Sequence, residues 1–431
     1  MHCLDLLTFV QYIIIENTTL SKSKTNKLKI LNDPIYGLVS IPNSLIFDII
    51  EHRYFQRLRR ITQMGLTNLV YPGANHTRFH HAIGCMHLMQ KAIQALRSKD
   101  IPISEKEATA LCIAILLHDI GHGAFSHALE YSIVNEITHE EISLLFMKEL
   151  NKEFKGKLDL AIKIFEGKYE RTFFHQLISS QLDIDRLDYL KRDSFYTGVA
   201  EGNISSDRLI AMMNVKNDEL VIEEKGIYSV EKFLIARRLM YWQVYLHKTS
   251  LSAETLLVKI LQRAKLLAKE GKVLPANKAL RYFLYTSINK ENFTTDTLDI
   301  FSKLDDYDVL AAIKEWCDNE DFVLSRLSTM LIHRKLLKLE LQGKPFTDKY
   351  KNKIITKVKK KLGEKEDNVS CFVFEDVVVN HAYDVTKPIK ILTKKGKLKD
   401  IIKASDNLNI QTLSVPVKKY FYCYPKNFAL I

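Results

Sequence analysis

A mainly α-helical fold is predicted: a helical bundle with a small inserted β-hairpin, followed by an α+β module at the carboxy terminus. Three observations carry this reading. Apolar residues recur at helical spacing through most of the first 340 positions, as in Ile83, Met86, Met89, Ile93 and Leu96. A Lys225-Gly226 pair sits at the centre of the extended stretch Leu220 to Ser229, the expected hairpin. Beyond Lys365 the composition turns to β-branched and aromatic residues, in CFVFEDVVVN (371–380), PIKILT (388–393) and LSVPVKKYFYCY (413–424).

In chain order, residues 1–30 form an amino-terminal extension. Its apolar stretch, Leu6 to Ile15, follows an acidic residue and is about half the ~20 residues that cross a bilayer, so neither signal nor membrane anchor is expected. Ser21 to Lys27 reads as a polar linker. Residues 31–340 form the helical core. Helices are expected over Pro42–Met64, Thr77–Arg97, Ser104–His118, His139–Phe154, Lys157–Phe165 and Thr172–Arg192. After the hairpin a long helix should run from Val230 to about Glu270, with further helices to Glu340. Residues 341–431 form the basic α+β module.

A chain of 431 residues buries a large core without covalent staples, and its six cysteines show no CxxC spacing. Cys85 and Cys112 lie among apolar helical residues as ordinary buried thiols do, which fits a cytoplasmic, reducing setting. The net charge of +12 comes in good part from Lys351–Lys365 and Lys387–Lys399. Such runs are more often solvated faces than ligand sites, and they leave nucleic acid open as a partner of the carboxy-terminal region.

The chemistry concentrates in LLHDIGHGAFSHAL (116–129), which places three histidines and an aspartate within ten residues. The apolar run Leu111–Leu117 delivers His118 and Asp119 at the end of a buried helix. If that helix continues, His118 and His122 share one face, and Gly121 and Gly123 leave the backbone bare beside them. A lone His-Asp pair is usually only a hydrogen bond. Here TRFHHAIG (77–84) adds His81, and LDIDRLDYLKRD (182–193) adds four aspartates, with Asp185 on an expected helix. Imidazole and carboxylate ligands together suit Mn, Fe, Zn or Ni, and His81, His118, Asp119 and Asp185 would satisfy one such ion with positions left for water or substrate.

These segments, with NDPIYG (32–37), FQRLRRITQMG (55–65), YPGANHTRFHHAIG (71–84), THEE (138–141) and YLHK (245–248), resemble the HD-domain phosphohydrolases. Within that family they are most similar to the deoxynucleoside triphosphate triphosphohydrolase branch, over about Leu31 to Lys248, without a counterpart of that branch's sterile-alpha-motif domain. The resemblance implies that His81, His118, Asp119 and Asp185 hold the metal. It implies that His122, His127 and His139 contact phosphate and manage proton transfer at the α-phosphorus, and that Arg78 clamps a phosphate. Arg186 stands where the family has lysine, an exchange that keeps charge but not geometry. Gln63, Tyr189 and Asp193 match groups around the sugar 3′-hydroxyl, Arg237 a phosphate contact, and Tyr245 a group beside the base.

Two departures bear on specificity: Leu246 replaces a glutamine beside the base, and Glu51 replaces an aspartate that reads an activating guanine nucleotide, although Gln56 and Arg59 of that site are present. His80, His87 and His247 are read as structural. The resemblance further implies a homo-oligomer, dimer or tetramer, and Mg accompanying the substrate. The expected activity is metal-dependent hydrolysis of a dNTP to deoxynucleoside and triphosphate. Phosphohydrolase or phosphodiesterase action on another nucleotide, and a nucleic-acid-binding regulator with a vestigial site, are the alternatives.

Overall fold

The computed structural model describes residues 29–126, 132, 134 and 136–426. Most of the expected amino-terminal extension, with its Leu6–Ile15 stretch, and His127 lie outside them.

Helices dominate, as the periodicity predicts, and three small sheets accompany them among the described residues. At the centre, helix Arg78–Arg97 packs against Glu105–Leu117 on one side and Ile184–Thr197 on another. The apolar stripe Ile83, Met86, Met89, Ile93 and Leu96 is buried in this contact, and so is every residue from Leu111 to Leu117. Ser104 starts the second helix by accepting from the backbone N–H of Glu107 at 3.2 Å, while the Glu107 carboxylate accepts from the backbone N–H of Ser104 at 2.8 Å.

Three expected helices are broken, each at a residue whose side chain caps a new start. Pro42–Met64 becomes Ser44–Glu51, Arg53–Gln56 and a 3-10 turn at Arg57–Arg60, because His52 is extended and its Nδ1 accepts from Tyr54 N at 3.2 Å. Thr172–Arg192 divides into Thr172–Ile178 and Ile184–Thr197. Asp183 accepts from the N–H groups of Ser180 at 2.7 Å and Arg186 at 2.8 Å, and so fixes the second start. The long helix from Val230 begins earlier, as Ile227–Met240, unwinds into a π-helical turn at Tyr241–Tyr245, and restarts as Lys248–Lys269 with His247 as its cap.

The inserted hairpin is displaced from its expected place. Its strands are β3, Met213–Lys216, and β4, Glu219–Glu223. The turn is Asn217-Asp218, both in the left-handed region with φ of 55° and 58°, the geometry that two-residue hairpin loops require. Lys225-Gly226 instead opens the following helix. An amino-terminal hairpin also forms, from β1, Ile30–Asp33, and β2, Gly37–Ser40.

Past the helices, β5, Lys338–Gln342, joins β9, Val417–Tyr424, and β6, Phe374–Asn380, in an antiparallel sheet of order β5-β9-β6. The expected domain break after residue 340 falls inside β5. Strand β7, Lys390–Leu392, pairs in parallel with β4 (Ile222↔Ile391) and antiparallel with β8, Leu398–Asp400, so the hairpin and the carboxy-terminal region share one sheet, β3-β4-β7-β8. The lysine-rich run forms helix Asp348–Leu362. Ile354, Val358 and Leu362 are buried while Lys353, Lys357, Lys360 and Lys361 face solvent, so these lysines form a solvated face. Among the described residues no helix is long and apolar enough to cross a membrane, and Cys85, Cys112, Cys317, Cys371 and Cys423 are free thiols.

Candidate active site

Helix Glu105–Leu117 ends one residue before His118, so His118 and His122 do not share a helical face as expected; they are brought together by a turn. Ser143 holds that turn. Its hydroxyl donates to His118 O at 2.8 Å and accepts from Gly121 N at 2.9 Å. Gly121 lies so close to helix His139–Glu153 that a Cβ there would meet His139 O at 2.2 Å and Ser143 N at 2.3 Å. A glycine is therefore required at this crossing.

The turn, helix Arg78–Arg97 and helix Ile184–Thr197 converge on one point. His81 Nε2 lies 3.1 Å from Asp185 Oδ1 and 3.8 Å from Asp119 Oδ2. His118 Nε2 lies 3.4 Å from Asp119 Oδ1 and 3.6 Å from Asp185 Oδ1. All four expected metal ligands are thus gathered, with Cys85 Sγ at the edge, 3.6 Å from the His81 ring nitrogens. The donor set fits a divalent cation. The Nδ1–H of His118 is committed to Ile115 O at 2.7 Å, which leaves Nε2 as a buried atom without a hydrogen-bond partner, aimed at both carboxylates. Although burial pushes them up, Asp119 is held well below the carboxylate range by His118 and Arg78, and Asp185 is lowered by the His118 and His81 imidazoles that face it. Two anionic carboxylates and two imidazole nitrogens are what a borderline cation takes.

Beside this point, His122 Nε2 is 3.4 Å from Asp119 Oδ1, and its ring stacks on His139 with centroids 3.9 Å apart. Burial, reinforced by Arg78, depresses His122 well below the usual histidine range, so it is neutral. Asp119, His122 and His139 also offer ligand atoms within 4.8 Å of one another. Arg78 forms a buried ion pair with Asp119 and donates to Ser126 Oγ at 2.7 and 3.1 Å, while Ser126 Oγ donates to Thr62 O at 3.2 Å. Phe125 and Ser126 both hold φ above 50°, a strained backbone for non-glycine residues, immediately before the expected catalytic His127.

The expected phosphate and sugar residues line the adjoining side. Arg186 is ion-paired with Asp183 and lies 3.9 Å from Asp185 Oδ2, with its Nε unpartnered. Arg237 presents Nε and Nη1 without partners. Tyr245 donates to Asp193 Oδ2 at 2.7 Å, and its ring centroid is 6.1 Å from that of Tyr189. Burial raises both phenols well above 10, so they remain donors. Gln63 Oε1 is buried without a partner. The activating-site candidates Gln56 and Arg59 bond each other at 2.8 Å.

Several residues here are not singled out by sequence reasoning. His76 donates to the other oxygen of Asp193 at 2.7 Å and stacks on Tyr196; its one sequence signal is its position two residues before Arg78. Asp188 accepts from His81 Nδ1 at 2.7 Å. Arg57, fully buried, donates to Ile120 O at 3.2 Å and His122 O at 2.6 Å and so grips the His-Asp turn from behind; burial lowers it to about 9. A buried arginine bonded to carbonyls carries no local sequence signal.

Comparison with known proteins agrees with this geometry. The HD domain model matches residues 78–193, and the HD associated region model matches residues 204–282. The uncharacterized protein YwfO of Bacillus subtilis is 33% identical over 398 residues, covering 89% of each chain. A deoxynucleoside triphosphate triphosphohydrolase SAMHD1 homolog of Dictyostelium discoideum is 33% identical over 252 residues, 54% of this chain and 48% of that protein. A crystal structure of a phosphohydrolase from Bacteroides thetaiotaomicron superposes with a TM-score of 0.89 at 50% identity, covering 92% of this chain and all of the other. The chain belongs to the HD-domain phosphohydrolase family, as a metal-dependent phosphohydrolase that resembles the deoxynucleoside triphosphate triphosphohydrolase branch.

Proposed function

We propose that the chain hydrolyses deoxynucleoside triphosphates to deoxynucleoside and inorganic triphosphate. The observation that carries this reading is the run of unsatisfied buried polar atoms beside the His/Asp cluster: Arg186 Nε, Arg237 Nε and Nη1, and Gln63 Oε1. Leaving such groups unpaired costs on the order of 1–3 kcal/mol each, which supports a polar ligand whose phosphate oxygens accept from the two guanidinium groups and whose hydroxyl donates to Gln63.

In this reading His81, His118, Asp119 and Asp185 hold a transition ion, Mn, Fe, Zn or Ni, which supplies Lewis acidity toward phosphate, with Mg entering on the substrate. Arg78, Arg186 and Arg237 bind phosphoryl oxygens by charge-assisted hydrogen bonds. Asp193, fixed by His76 and Tyr245, accepts from the sugar 3′-hydroxyl together with Gln63, and Tyr189 and Tyr245 pack along the nucleoside. Water attacks the α-phosphorus and the bond to the 5′-oxygen breaks. Neutral His122, backed by His139, takes the water's proton, and a second histidine, by the resemblance His127, returns one to the 5′-oxygen.

The test is turnover of the four common dNTPs, singly and mixed, with Mn or Mg, and the products resolved by ion exchange. Deoxynucleoside plus triphosphate is expected; orthophosphate or pyrophosphate as the product would reject it. Turnover only in the mixture would reveal an activating nucleotide. The homo-oligomer implied by the resemblance is checked by light scattering with and without nucleotide, where a monomer in both conditions contradicts it.

A further inference from the structure

We infer that Asp188, Arg192 and Asp33 form a buried relay that positions the metal ligand His81 and ties the amino-terminal hairpin to the metal site. The inference rests on reading His81 as a ligand, and goes beyond it by assigning three residues that touch neither metal nor substrate.

The relay begins at the imidazole. His81 faces Asp185 through Nε2 at 3.1 Å and donates from Nδ1 to Asp188 Oδ2 at 2.7 Å. Asp185 and Asp188 are three apart on one helix, so their carboxylates lie on one face and bracket the ring from front and back. A proton fixed on Nδ1 leaves Nε2 as the lone pair, and that is the tautomer a metal ligand needs.

Asp188 does not stand alone. Arg192, one turn further on, donates to it through Nε at 2.8 Å and Nη2 at 3.0 Å, a bidentate grip. The remaining arm, Nη1, donates to Asp33 Oδ2 at 2.9 Å. Asp33 ends strand β1, and its other oxygen accepts from Ile35 N at 2.8 Å and Tyr36 N at 3.0 Å, so the same carboxylate shapes the hairpin turn. His81, Asp188 and Arg192 have no exposed side-chain surface, and that of Asp33 is 3% exposed.

The helix opposite is shaped to admit this pair. Gly84, one turn after His81, has Arg192 Nη2 and Asp188 Oδ1 so close that a Cβ would meet each at 2.1 Å. The helix–helix contact that sets the distance between His81 and Asp185 is therefore made against the Asp188–Arg192 pair itself. Removing a link loosens the ring that the other three ligands must meet.

The test is a titration of the metal-free protein with Co(II), read by its visible absorption, with the thermal midpoint of the metal-free form measured in parallel. Asp188→Asn should weaken Co(II) binding roughly 10- to 100-fold, the range found for the partners of ligating histidines. Since breaking a buried ion pair can unfold a protein, Asp33→Asn tests the far end. It leaves the Asp188–Arg192 pair intact and should still weaken Co(II) binding, by a smaller factor. His81→Ala serves as the control. If His81→Ala loses the Co(II) site while Asp188→Asn and Asp33→Asn bind with wild-type affinity, the relay is wrong although the ligand assignment stands. If His81→Ala binds like wild type, the ligand assignment fails and the inference falls with it. A lower thermal midpoint with unchanged Co(II) affinity would mark the three residues as merely structural and overturn the proposal.

Discussion

The centre of the helical region and the carboxy-terminal sheet are both buried, yet they are buried differently. Around His81 the interior holds five carboxylates, Asp33, Asp119, Asp183, Asp188 and Asp193, with Arg57, Arg78 and Arg192, every one at most 9% exposed. In the β5-β9-β6 sheet the covered side chains include Leu339, Phe421, Tyr422, Cys423 and Tyr424, while Lys338, Glu375 and Asp376 stay at the surface. Charges are kept inside a protein only where partners repay their desolvation. In these two regions charged burial goes with the candidate site, and apolar burial with the sheet.

The widest separation between the two regions should come from the proposed metal ligands. Asp185→Ala and Asp119→Ala should each lower turnover by at least roughly 10³-fold and reduce bound metal, with the fold retained by circular dichroism. Full activity in either variant would remove it from the ligand set. Phe421→Ala in the sheet should do the opposite. It should cost about 3–4 kcal/mol of stability through lost burial and the cavity left behind, seen in chemical denaturation, while turnover per folded molecule stays at the wild-type value. A large loss of kcat in folded Phe421→Ala would show that the sheet takes part in the chemistry.

Smaller effects sharpen the contrast inside the helical region. Arg237→Ala should reduce kcat/KM by roughly 30- to 100-fold, about 2–3 kcal/mol, as expected for losing charge-assisted bonds to phosphate, with little change in the thermal midpoint because Arg237 Nε and Nη1 have no protein partner to lose. Glu254 gives the smallest effect. Burial with no compensating partner raises it to about 7 from an ordinary value of 4.5, beside Gly65, where a Cβ would sit 3.3 Å from Glu254 Oε1. A carboxyl raised on folding favours the folded state while protonated, so its contribution is full below about pH 4.5 and is lost as pH rises through about 7. Glu254→Gln should therefore match wild type near pH 4.5 and exceed it by about 2 kcal/mol at pH 8, a value discounted for partial exposure. Equal stability at both pH values would show that the carboxylate is solvated.

The same contrast explains what could be read from the chain. The candidate ligands His81, His118, Asp119 and Asp185 were legible because each lies in a short motif, and the helices around them because their apolar stripes repeat every turn. Helix breaks at His52, Asp183 and His247 were not, since a side chain that caps from inside an apolar pattern leaves its period intact. The hairpin lies upstream of its expected place because the turn is made by Asn217-Asp218, which takes the left-handed conformations, and not by Lys225-Gly226. Least legible were partners far apart in sequence: β4 beside β7, Arg57 on the His-Asp turn, and Asp33 on Arg192. Such pairings depend on packing rather than on any local pattern.

Attack at the α-phosphorus is tested by hydrolysis of a dNTP in ¹⁸O-labelled water, with the label located by mass spectrometry. Attack at the α-phosphorus predicts one labelled oxygen in the inorganic triphosphate and none in the deoxynucleoside. Label in orthophosphate, or in the deoxynucleoside, would place the attack elsewhere and contradict the account.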